Sequence, residues 1–599
     1  MKPAENTVCT ECFQWEKKLA RFSDLKIWRY PSQWILFRLD DRLLLIIIGA
    51  LVGICSGLAA VAMYQGLRLM FSYTHYFQGL WWSFLLPGCG AALAVIFLER
   101  FLKEGAGHGV PEVVYSVSRY GGLMRFRSSF SRIISGCLTI GSGGSAGPEA
   151  PVVISGASIG SNIAQFFGLN DRQRVAIVGC GSAGALAAIF NAPIAGLVFT
   201  IEVIVGEWSA VNIVPIAVAS VAGAEVCRLI QGDLMGFTSL TYHVDLIDTL
   251  ACIGLAIFTA AASLLLTRML RRSNSISQRI AGRFSLPYWM RPFLGGCLVG
   301  LIGLVLPEVL GEGYHFIDDM VRGTFTQGLL LVTVLMLAKI LATSLTLGWG
   351  GSGGIFAPCL VIGSFTGLVY HRFIDFLGPG VGWVDEGCFA LLGMAGLVSG
   401  ILQAPLTGIF LIVEITGGYG VILPLILVSA LSASLTSAFE PASFYLKELV
   451  EKGHYLRPRT DERVLADLTV RELVEKDCIA VYKNMKLGDF AKIVKKSHRN
   501  FFPVEDENTG DFVGMIHLDD IREYLFDPLL YETVFLEQIM NTHVDTVDLD
   551  DDLTDVLERM DRKHVFSMPV VVNNRFIGMV SKATLLDKYR SELMVQSYY

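Results

Sequence analysis

The sequence predicts an all-α, polytopic membrane domain of tilted, broken helices in two repeats, followed by a smaller α/β domain. Three observations support this fold class. First, 53% of the 599 residues are hydrophobic and only 17% are charged, which is too apolar for one soluble domain. Second, residues 43–450 hold 20 basic and 21 acidic residues, whereas residues 451–599 hold 20 basic and 28 acidic ones. Third, both parts of the chain contain internal repeats.

The apolar part of the chain is predicted to cross the membrane several times. Apolar runs such as residues 43–63 recur throughout residues 43–450, and such runs are typical of membrane spans. This composition excludes intrinsic disorder, a collagen-like chain and a disulfide scaffold. Residues 1–42 are polar with mixed charge, so we predict a cytosolic N-terminal segment and an uncleaved first span. Cys9 and Cys12 form an isolated CxxC without a second pair, so we expect no metal site there.

Glycine clusters interrupt the apolar runs at residues 139–147, 180–184 and 348–354. Several of the resulting segments are shorter than the ~20 residues of a straight span, so broken and tilted helices are predicted. Irregular backbone is tolerated at bilayer depth only where it lines a protected or watery cavity. The clusters therefore indicate where a transported substrate would bind.

The membrane domain repeats itself in sequence. Residues 183–203 match residues 395–415 at a constant offset of 212, and seven of the 21 positions are identical. A second pairing sets GSGGSAGP at 141–148 against GSGGIFAP at 351–358. In transporters built from repeats with interrupted helices, the substrate site lies near the midplane, where half-helix ends meet.

These matches divide the membrane domain into repeats of about 43–245 and 246–450. Glu202 and Glu414 occupy equivalent places in the two halves. We predict that both are buried structural acids bonded to helix ends, because an unpaired acid is costly inside a membrane protein. A transport role is the alternative.

The tail also contains two copies of one unit. Residues 500–525 parallel residues 566–590, each with the pattern of a strand, a turn, a second strand and a helix. GMIH and GMVS fall at matching points of the two copies. We therefore predict a linker and first α/β module over 451–525 and a second module over 526–599.

Three glycine-containing loops each end in a proline that can lie in a first helical turn. They are GHGVP at 107–111, GPEAP at 147–151 and GIFAP at 354–358. Glycine lets a ligand approach the backbone, and proline is tolerated where the helix has no use for its N–H. Three converging helix N-termini would offer free N–H groups and partial positive charge to an anion. The loops contain no Lys or Arg, which favours fast release of that anion.

In this order and spacing the three loops resemble the signature of the CLC family of chloride channels and proton/chloride antiporters. The tail resembles the paired CBS modules that many CLC proteins carry. The resemblance implies a multi-pass membrane protein with two inverted halves and cytoplasmic CBS modules. It also implies a homodimer in membrane lipid, with one pathway per subunit for chloride and similar small anions.

By the same resemblance, Glu149 matches the family's gating glutamate, whose carboxylate mimics an anion and leaves the pathway when protonated or displaced. The alternative is an acid that only caps the helix dipole. Pro148 stands where the family often has a basic residue, which weakens the positive field. The resemblance assigns anion binding to Gly107, His108, Gly109, Val110, Gly147, Pro148, Glu149, Ala150, Gly354, Ile355, Phe356, Ala357 and Tyr445.

Two of these residues have open alternatives. His108 replaces a serine that many relatives use to contact the central anion, and it either donates an imidazole N–H or faces elsewhere. Tyr445 either contributes its hydroxyl to the anion or anchors the last membrane helix at the interface.

Proton coupling depends on position 203, where antiporters of this family usually carry a second glutamate. This chain has Val203, and an apolar side chain cannot hold a proton. We therefore expect passive, channel-like conduction, with a proton/chloride antiporter as the alternative. A CBS-regulated magnesium transporter is a third possibility, but it would need several acids facing a pore, and the glycine loops offer only Glu149.

CBS modules typically bind an adenine nucleotide through a hydroxyl and an aspartate that follow the GMI or GMV strand. The first copy has His517 and Asp520 at these positions, and the second has Ser581 and Thr584. Each copy keeps half of the pattern, so a nucleotide sensor and a purely structural pair are both open, and no cofactor is required. The chain has no HExxH, GxSxG or P-loop motif, so we expect neither an enzyme nor a nucleic-acid partner.

Overall fold

The computed structural model forms two compact units, Met1–Tyr455 and Leu456–Tyr599. The structure describes residues 41–77, 80–104, 109–206, 208–232, 242, 244–378, 383–417, 419–451, 468–497 and 499–598. The predictions for Cys9, Cys12, Gly107 and His108, and almost all of the N-terminal segment, lie outside these residues.

The first unit is helical in every described element. Its helices are α1 Asp41–His75, α2 Leu86–Ile96, α3 Val110–Arg119, α4 Ser128–Gly141, α5 Glu149–Phe166, α6 Asp171–Phe190, α7 Pro193–Phe199, α8 Ala210–Gln231, α9 Leu246–Phe284, α10 Met290–Val305, α11 Tyr314–Val321, α12 Leu329–Gly348, α13 Phe356–Leu377, α14 Glu386–Leu402, α15 Pro405–Thr416, α16 Ile422–Phe439 and α17 Phe444–Glu451. π-Helical turns extend α2 over Phe97–Leu102 and α7 over Thr200–Val205. Among the described residues, eight helical stretches are long and apolar enough to cross a membrane.

Helix lengths confirm the prediction of tilted and broken helices. Helices α1 and α9 have 35 and 39 residues, well beyond the ~20 of a straight span. By contrast, α15 has only 12 residues. Both α7 and α15 begin at a proline, Pro193 and Pro405, where the missing N–H costs nothing.

The two halves of the unit pack in the same pattern. Helix α1 contacts α6 and α8, and its counterpart α9 contacts α14 and α16. Helix α5 packs on α6, as α13 packs on α14. Contacts between α2 and α10 and between α7 and α15 join the halves. The order of elements therefore repeats as α1–α8 and α9–α16.

The two glycine loops before α5 and α13 pair with each other. The Gly147 N–H donates to the Gly354 carbonyl at 2.8 Å, and the Gly354 N–H donates to the Gly147 carbonyl at 2.7 Å, in an antiparallel bridge. Reciprocal antiparallel pairing of equivalent residues requires a local twofold axis, which reverses chain direction. This is the symmetry of an inverted repeat.

That pairing corrects the register of one sequence match. GSGGSAGP at 141–148 does not correspond to GSGGIFAP at 351–358, because Gly147 pairs with Gly354 at an offset of 207. At this offset, residues 139–151 align with 346–358. The hydrogen bonds obey the same offset: Ser145 N–H donates to the Thr346 hydroxyl at 3.0 Å, and Ser352 N–H donates to the Thr139 hydroxyl at 3.3 Å. Several glycines in each loop made two registers look alike.

The second unit contains the two predicted α/β modules. Strand β1 Val481–Tyr482 runs parallel to β2 Phe501–Glu505, which pairs antiparallel with β3 Phe512–His517. Strands β4 Ser567–Val572 and β5 Arg575–Ser581 form the second hairpin. The helices are α18 Val470–Leu473, α19 Leu487–Val494, α20 Arg522–Leu525, α21 Leu536–Ile539, α22 Leu553–Arg562 and α23 Lys582–Tyr598.

The two hairpins have the same register, which confirms that the two tail sequences are copies. Pro503 lies opposite Met515 in the first hairpin, and Pro569 lies opposite Met579 in the second. Each hairpin has a register shift one to two residues beyond its proline. Each module also has its own buried hydrophobic cluster, centred on residues such as Phe502 in the first copy.

Candidate anion pathway

The described ends of the three predicted loops come together. Helix α3 begins after Gly109, α5 after Pro148 and α13 after Ile355. A Cβ atom on Gly109 would lie 2.8 Å from the Ala150 Cβ, and one on Gly354 would lie 3.0 Å from the same atom. The three helix N-termini therefore meet around the first turn of α5, which places their N–H groups and partial positive charges in one region.

The carboxylate of Glu149 lies at this meeting point and is buried, with the residue 1% exposed. Its Oε1 accepts a hydrogen bond from the Tyr314 hydroxyl, and its Oε2 accepts one from the Ala357 N–H at 3.4 Å. We call residues 355–357, at the N-terminal end of α13, the anion seat, because the family resemblance assigns anion binding to these residues. The glutamate thus bonds the N–H of a residue that the family resemblance assigns to anion binding.

The other described residues of the predicted set lie in the same buried region. Among these residues, Val110, Ala150, Ile355, Phe356, Ala357 and Tyr445 are each at most 2% exposed. Tyr445 belongs to α17, which packs against α3 and α14. Since its ring is buried inside the protein, an anchoring role at the lipid interface does not fit this residue.

Two aromatic residues that the sequence analysis missed, Tyr314 and Phe190, pack beside Glu149. Tyr314 donates to Glu149, and its ring lies edge-on to Phe190 with 6.4 Å between the ring centroids. Phe190 in turn contacts Phe356 at 5.4 Å. The usable signal was GEGY at 311–314, a fourth glycine-containing loop that opens a short helix.

Lys339 was also missed and is completely buried. Its Nζ donates to the carbonyl oxygens of Val309 at 3.0 Å and Gly311 at 2.9 Å. These carbonyls belong to the loop that leads to Tyr314. The signal in the sequence was a single charge within the otherwise uncharged helix α12.

Val203 lies in the π-helical extension of α7 and is 9% exposed. Its neighbour Glu202 accepts hydrogen bonds from the N–H groups of Leu406 at 3.2 Å and Thr407 at 2.8 Å, in the first turn of α15. Position 203 itself therefore offers an apolar side chain, and the adjacent acid is already bonded to a helix end.

Glu414 makes the mirror-image contact. Its carboxylate accepts from the N–H groups of Ile194 at 2.9 Å and Ala195 at 2.7 Å, in the first turn of α7. Each acid thus caps the helix whose far end carries the other acid. The predicted bonds to helix ends are confirmed, although both residues are half-buried rather than buried.

A cavity of about 230 Å³ adjoins the predicted anion-binding residues. Its walls include Pro111, next to Val110, and Phe444, next to Tyr445. Arg271 and Lys447 also line it, and both pair with Glu440, the former at 2.6 Å. Arg271 and Lys447 therefore place two positive charges on the cavity wall, against the one negative charge of Glu440.

In the second CBS module, the predicted nucleotide residues are already engaged. The Ser581 hydroxyl donates to the Glu475 carboxylate at 2.7 Å, and the Thr584 hydroxyl donates to the same oxygen. Arg499 pairs with Glu475 and, at 2.6 Å, with Asp477. Burial raises the pKa of Glu475, but the hydrogen bonds from the two hydroxyls and the Arg499 charge outweigh it and leave that pKa below its usual value.

In the first module the equivalent residues are less enclosed. The His517 Nδ1 accepts a hydrogen bond from the Asp519 N–H at 3.3 Å, and the His517 ring contacts Phe501 with 4.6 Å between the ring centroids. Asp520 is exposed. The two halves of the predicted pattern therefore differ in local structure as well as in sequence.

Comparison with known families decides the identity of the fold. Residues 90–437 match the family described as "Voltage gated chloride channel", and residues 470–527 and 536–591 each match the CBS domain. The chain belongs to the CLC family. As a CLC protein, it is an integral, multi-pass membrane protein of a family that transports chloride, with its CBS pair in the cytoplasm.

Among curated relatives, this CLC chain is 30% identical over 398 residues to an H(+)/Cl(-) exchange transporter ClcA of Vibrio cholerae serotype O1 (strain M66-2), covering 64% of this chain and 84% of the relative. It is 29% identical over 419 residues to a putative chloride channel protein ClcB-like of Ralstonia nicotianae, covering 67% and 96%.

Two solved structures share the fold. A slow cyanobacterial Cl-/H+ antiporter matches with a TM-score of 0.60 and 24% identity, covering 69% of this chain and 99% of that one. A eukaryotic CLC transporter matches with a TM-score of 0.57 and 20% identity, covering 90% and 98%. The second match extends beyond the membrane domain.

Proposed function

We propose that this CLC protein exchanges chloride for protons across the membrane. The observation that carries the proposal is the position of Glu149, whose buried carboxylate accepts a hydrogen bond from the Ala357 N–H of the anion seat. Anion and carboxylate therefore compete for the same donor. An anion can occupy that donor only when the carboxylate has left it.

Electrostatics links this competition to a proton. Two unit charges ~4 Å apart interact by about 4 kcal/mol at an effective dielectric constant of 20. An ionised Glu149 and a chloride ion in the same seat would repel each other by an energy of this order. Protonation removes the repulsion, so binding of the anion and binding of the proton favour each other. Such linkage is the thermodynamic requirement for coupled transport.

The named relatives favour exchange over the passive conduction that Val203 led us to expect. The relative that is 30% identical over most of its length is named an H(+)/Cl(-) exchange transporter. Passive conduction remains the second candidate, because Val203 is buried and apolar and because a relative of similar identity is named a putative chloride channel.

Proteoliposome flux distinguishes the two functions. The purified protein is reconstituted into vesicles with a chloride gradient and no proton gradient, and both ions are followed together. Exchange predicts proton movement against its own gradient, driven by chloride. Chloride flux without any proton movement would instead establish the passive channel.

For the CBS pair, we propose a structural role in which Glu475 takes the place of a ligand phosphate. Support comes from the Ser581 and Thr584 hydroxyls, which both donate to this carboxylate. An adenine nucleotide would have to displace Glu475 to reach them. Titration of the full-length protein with ATP, ADP and AMP tests this proposal: we expect no binding to the wild type, and saturable binding would contradict it.

A further inference from the structure

The buried gate needs a route for its proton. Glu149 is 1% exposed, so bulk water does not reach its carboxylate freely. The backbone amides that bond this carboxylate, such as that of Ala357, cannot pass a proton on. The Tyr314 hydroxyl can, because it both donates and accepts hydrogen bonds. The Tyr314 hydroxyl is therefore placed to deliver a proton to Glu149 Oε1.

A second acid lies two residues before this tyrosine. Glu312 is partly exposed, and it is close enough to Glu149 and Lys339 for their charges to interact. No ion pair within 4.0 Å joins Glu312 to Lys339 among the residues that the structure describes. Glu312 is therefore a partly exposed acid beside the loop that carries Tyr314, and within the described part of the chain it forms no ion pair with Lys339.

The groups around Glu312 come from four elements. Glu149 lies on α5, Tyr314 on α11, Lys339 on α12 and Tyr64 on α1. Two nearby carboxylates repel each other when both are ionised. A proton bound to either of them relieves this repulsion. The positive charge of Lys339 offsets the negative charge of the carboxylate that stays ionised.

Lys339 also fixes the geometry of this loop. Its ammonium group bonds the carbonyls of Val309 and Gly311, which immediately precede Glu312. The backbone of Gly311 and Gly313 is left-handed, with φ of +61° and +86°, and a Cβ on Gly313 would lie 3.4 Å from the Lys339 Nζ. Lys339 therefore ties the backbone before Glu312 to α12, and the Tyr314 hydrogen bond to Glu149 joins the same loop to α5.

We propose that Glu312 passes protons between solvent and Glu149, through one water molecule and the Tyr314 hydroxyl. The Glu312 carboxylic acid gives its proton to the water, the water gives a proton to the Tyr314 oxygen, and the Tyr314 proton moves to Glu149 Oε1. Glu312 ends as a carboxylate, Glu149 ends as a carboxylic acid, and water and tyrosine are unchanged. The reverse sequence returns the proton to solvent. The proposal rests on the exchange function and names the residue that serves it.

The test compares proton and chloride fluxes of Glu312→Gln, Glu312→Asp and Tyr314→Phe in proteoliposomes. Loss of a positioned proton carrier lowers the rate of a proton-transfer step by roughly 100-fold or more. We expect Glu312→Gln and Tyr314→Phe to reduce proton flux much more than chloride flux, and Glu312→Asp to retain coupling. Asp318→Asn, an acid in a surface pair with Arg322 at 2.9 Å, serves as the matched control with wild-type fluxes.

Two outcomes overturn the assignment: an unchanged flux ratio in Glu312→Gln, or an equal loss of both fluxes in Glu312→Gln and Glu312→Asp, which indicates a structural role. If the wild type moves no protons, the exchange function itself fails, and the readout becomes the rise of chloride flux on acidification. Glu312→Gln must then slow or flatten that rise. An unaltered rise, or a wild-type flux that does not depend on pH, also overturns the assignment.

Discussion

Glu149 has a chemically different counterpart in the other half of the membrane unit. At the offset of 207 set by the paired loops, Glu149 corresponds to Phe356. The twofold symmetry of the backbone therefore brings one acid and one aromatic ring to equivalent helix tips. Because only one of the two tips carries a carboxylate, only Glu149 can titrate there, which is why we propose it as the gate and the other tip as the anion seat.

Replacing this acid tests the gate directly. We expect Glu149→Gln to raise chloride flux, to abolish proton flux and to flatten the pH response, because the amide carries no charge to compete with chloride. Chloride efflux from proteoliposomes at several pH values measures the change. Glu225→Gln, in an exposed pair with Arg228 at 2.9 Å, is the control. An unchanged flux with unchanged pH dependence would count against a gate at Glu149.

In the cytosolic unit, Glu475 gives a prediction of pH dependence. Its pKa is lowered in the folded protein, so its stabilising contribution is complete above the unfolded value of ~4.3 and is lost as the pH falls through the lower folded value. Hydrogen exchange of the β4–β5 hairpin in the full-length protein measures this. We expect Glu475→Gln to lose protection at neutral pH, by about 1–3 kcal/mol, and to differ less from the wild type in acid. Equal loss at all pH values would exclude a charge effect.

The close approach of the three helix tips depends on small residues. Gly109 has a left-handed backbone with φ of +93°, and a Cβ there would lie 2.8 Å from the Ala150 Cβ. Gly168 has a similar φ of +67°, but nothing lies within 4 Å of its Cβ position. A substitution at Gly168 therefore tests backbone strain alone, whereas one at Gly109 tests strain together with a steric clash.

We expect Gly109→Ala to abolish chloride flux, because the clash pushes α3 away from α5 in addition to the strain. Gly168→Ala should cost only the strain of about 1 kcal/mol and keep its flux. Flux assays, together with the thermal midpoint of each purified variant, check both expectations. Equal flux in the two variants would show that close approach of the tips is not needed.

The carboxylates that cap a helix of the opposite half are expected to stabilise the protein. Glu202 and Glu414 each accept two backbone N–H groups of the opposite half. We expect Glu202→Gln and Glu414→Gln each to lower the stability of the protein by about 1–2 kcal/mol, measured as a lower thermal midpoint in detergent. Proton coupling in the variants should persist. A loss of coupling with unchanged stability would indicate a transport role instead.

An element could be predicted from the sequence when the interactions that determine it are between residues close together in the chain. The loops before α3, α5 and α13 and the CBS hairpins were predictable because local glycine, proline and alternation patterns determine them. The register of the loops at 141–148 and 351–358 was wrong, because repeated glycines carry little positional information. Tyr314 and Lys339 were missed, because their partners are distant in the chain and a single polar side chain gives no local pattern.

The chain combines an apolar transport unit with an acidic cytosolic unit. The fold of each followed from composition and repeats, because burial of apolar surface in lipid or in a small core decides fold class. Function was harder to predict, because coupling depends on one or two carboxylates. Val203 pointed to passive conduction, whereas the named relatives point to exchange.

The crossed caps between the halves also bear on biosynthesis. A ribosome releases the N-terminal half first, with the Glu202 carboxylate and the first-turn amides of α7 still lacking their partners from α15. Unpartnered polar groups are costly in lipid, so the early half cannot settle into its final packing alone. Synthesis of α15 supplies both sets of contacts together, so a helix of the second half completes the packing of the first.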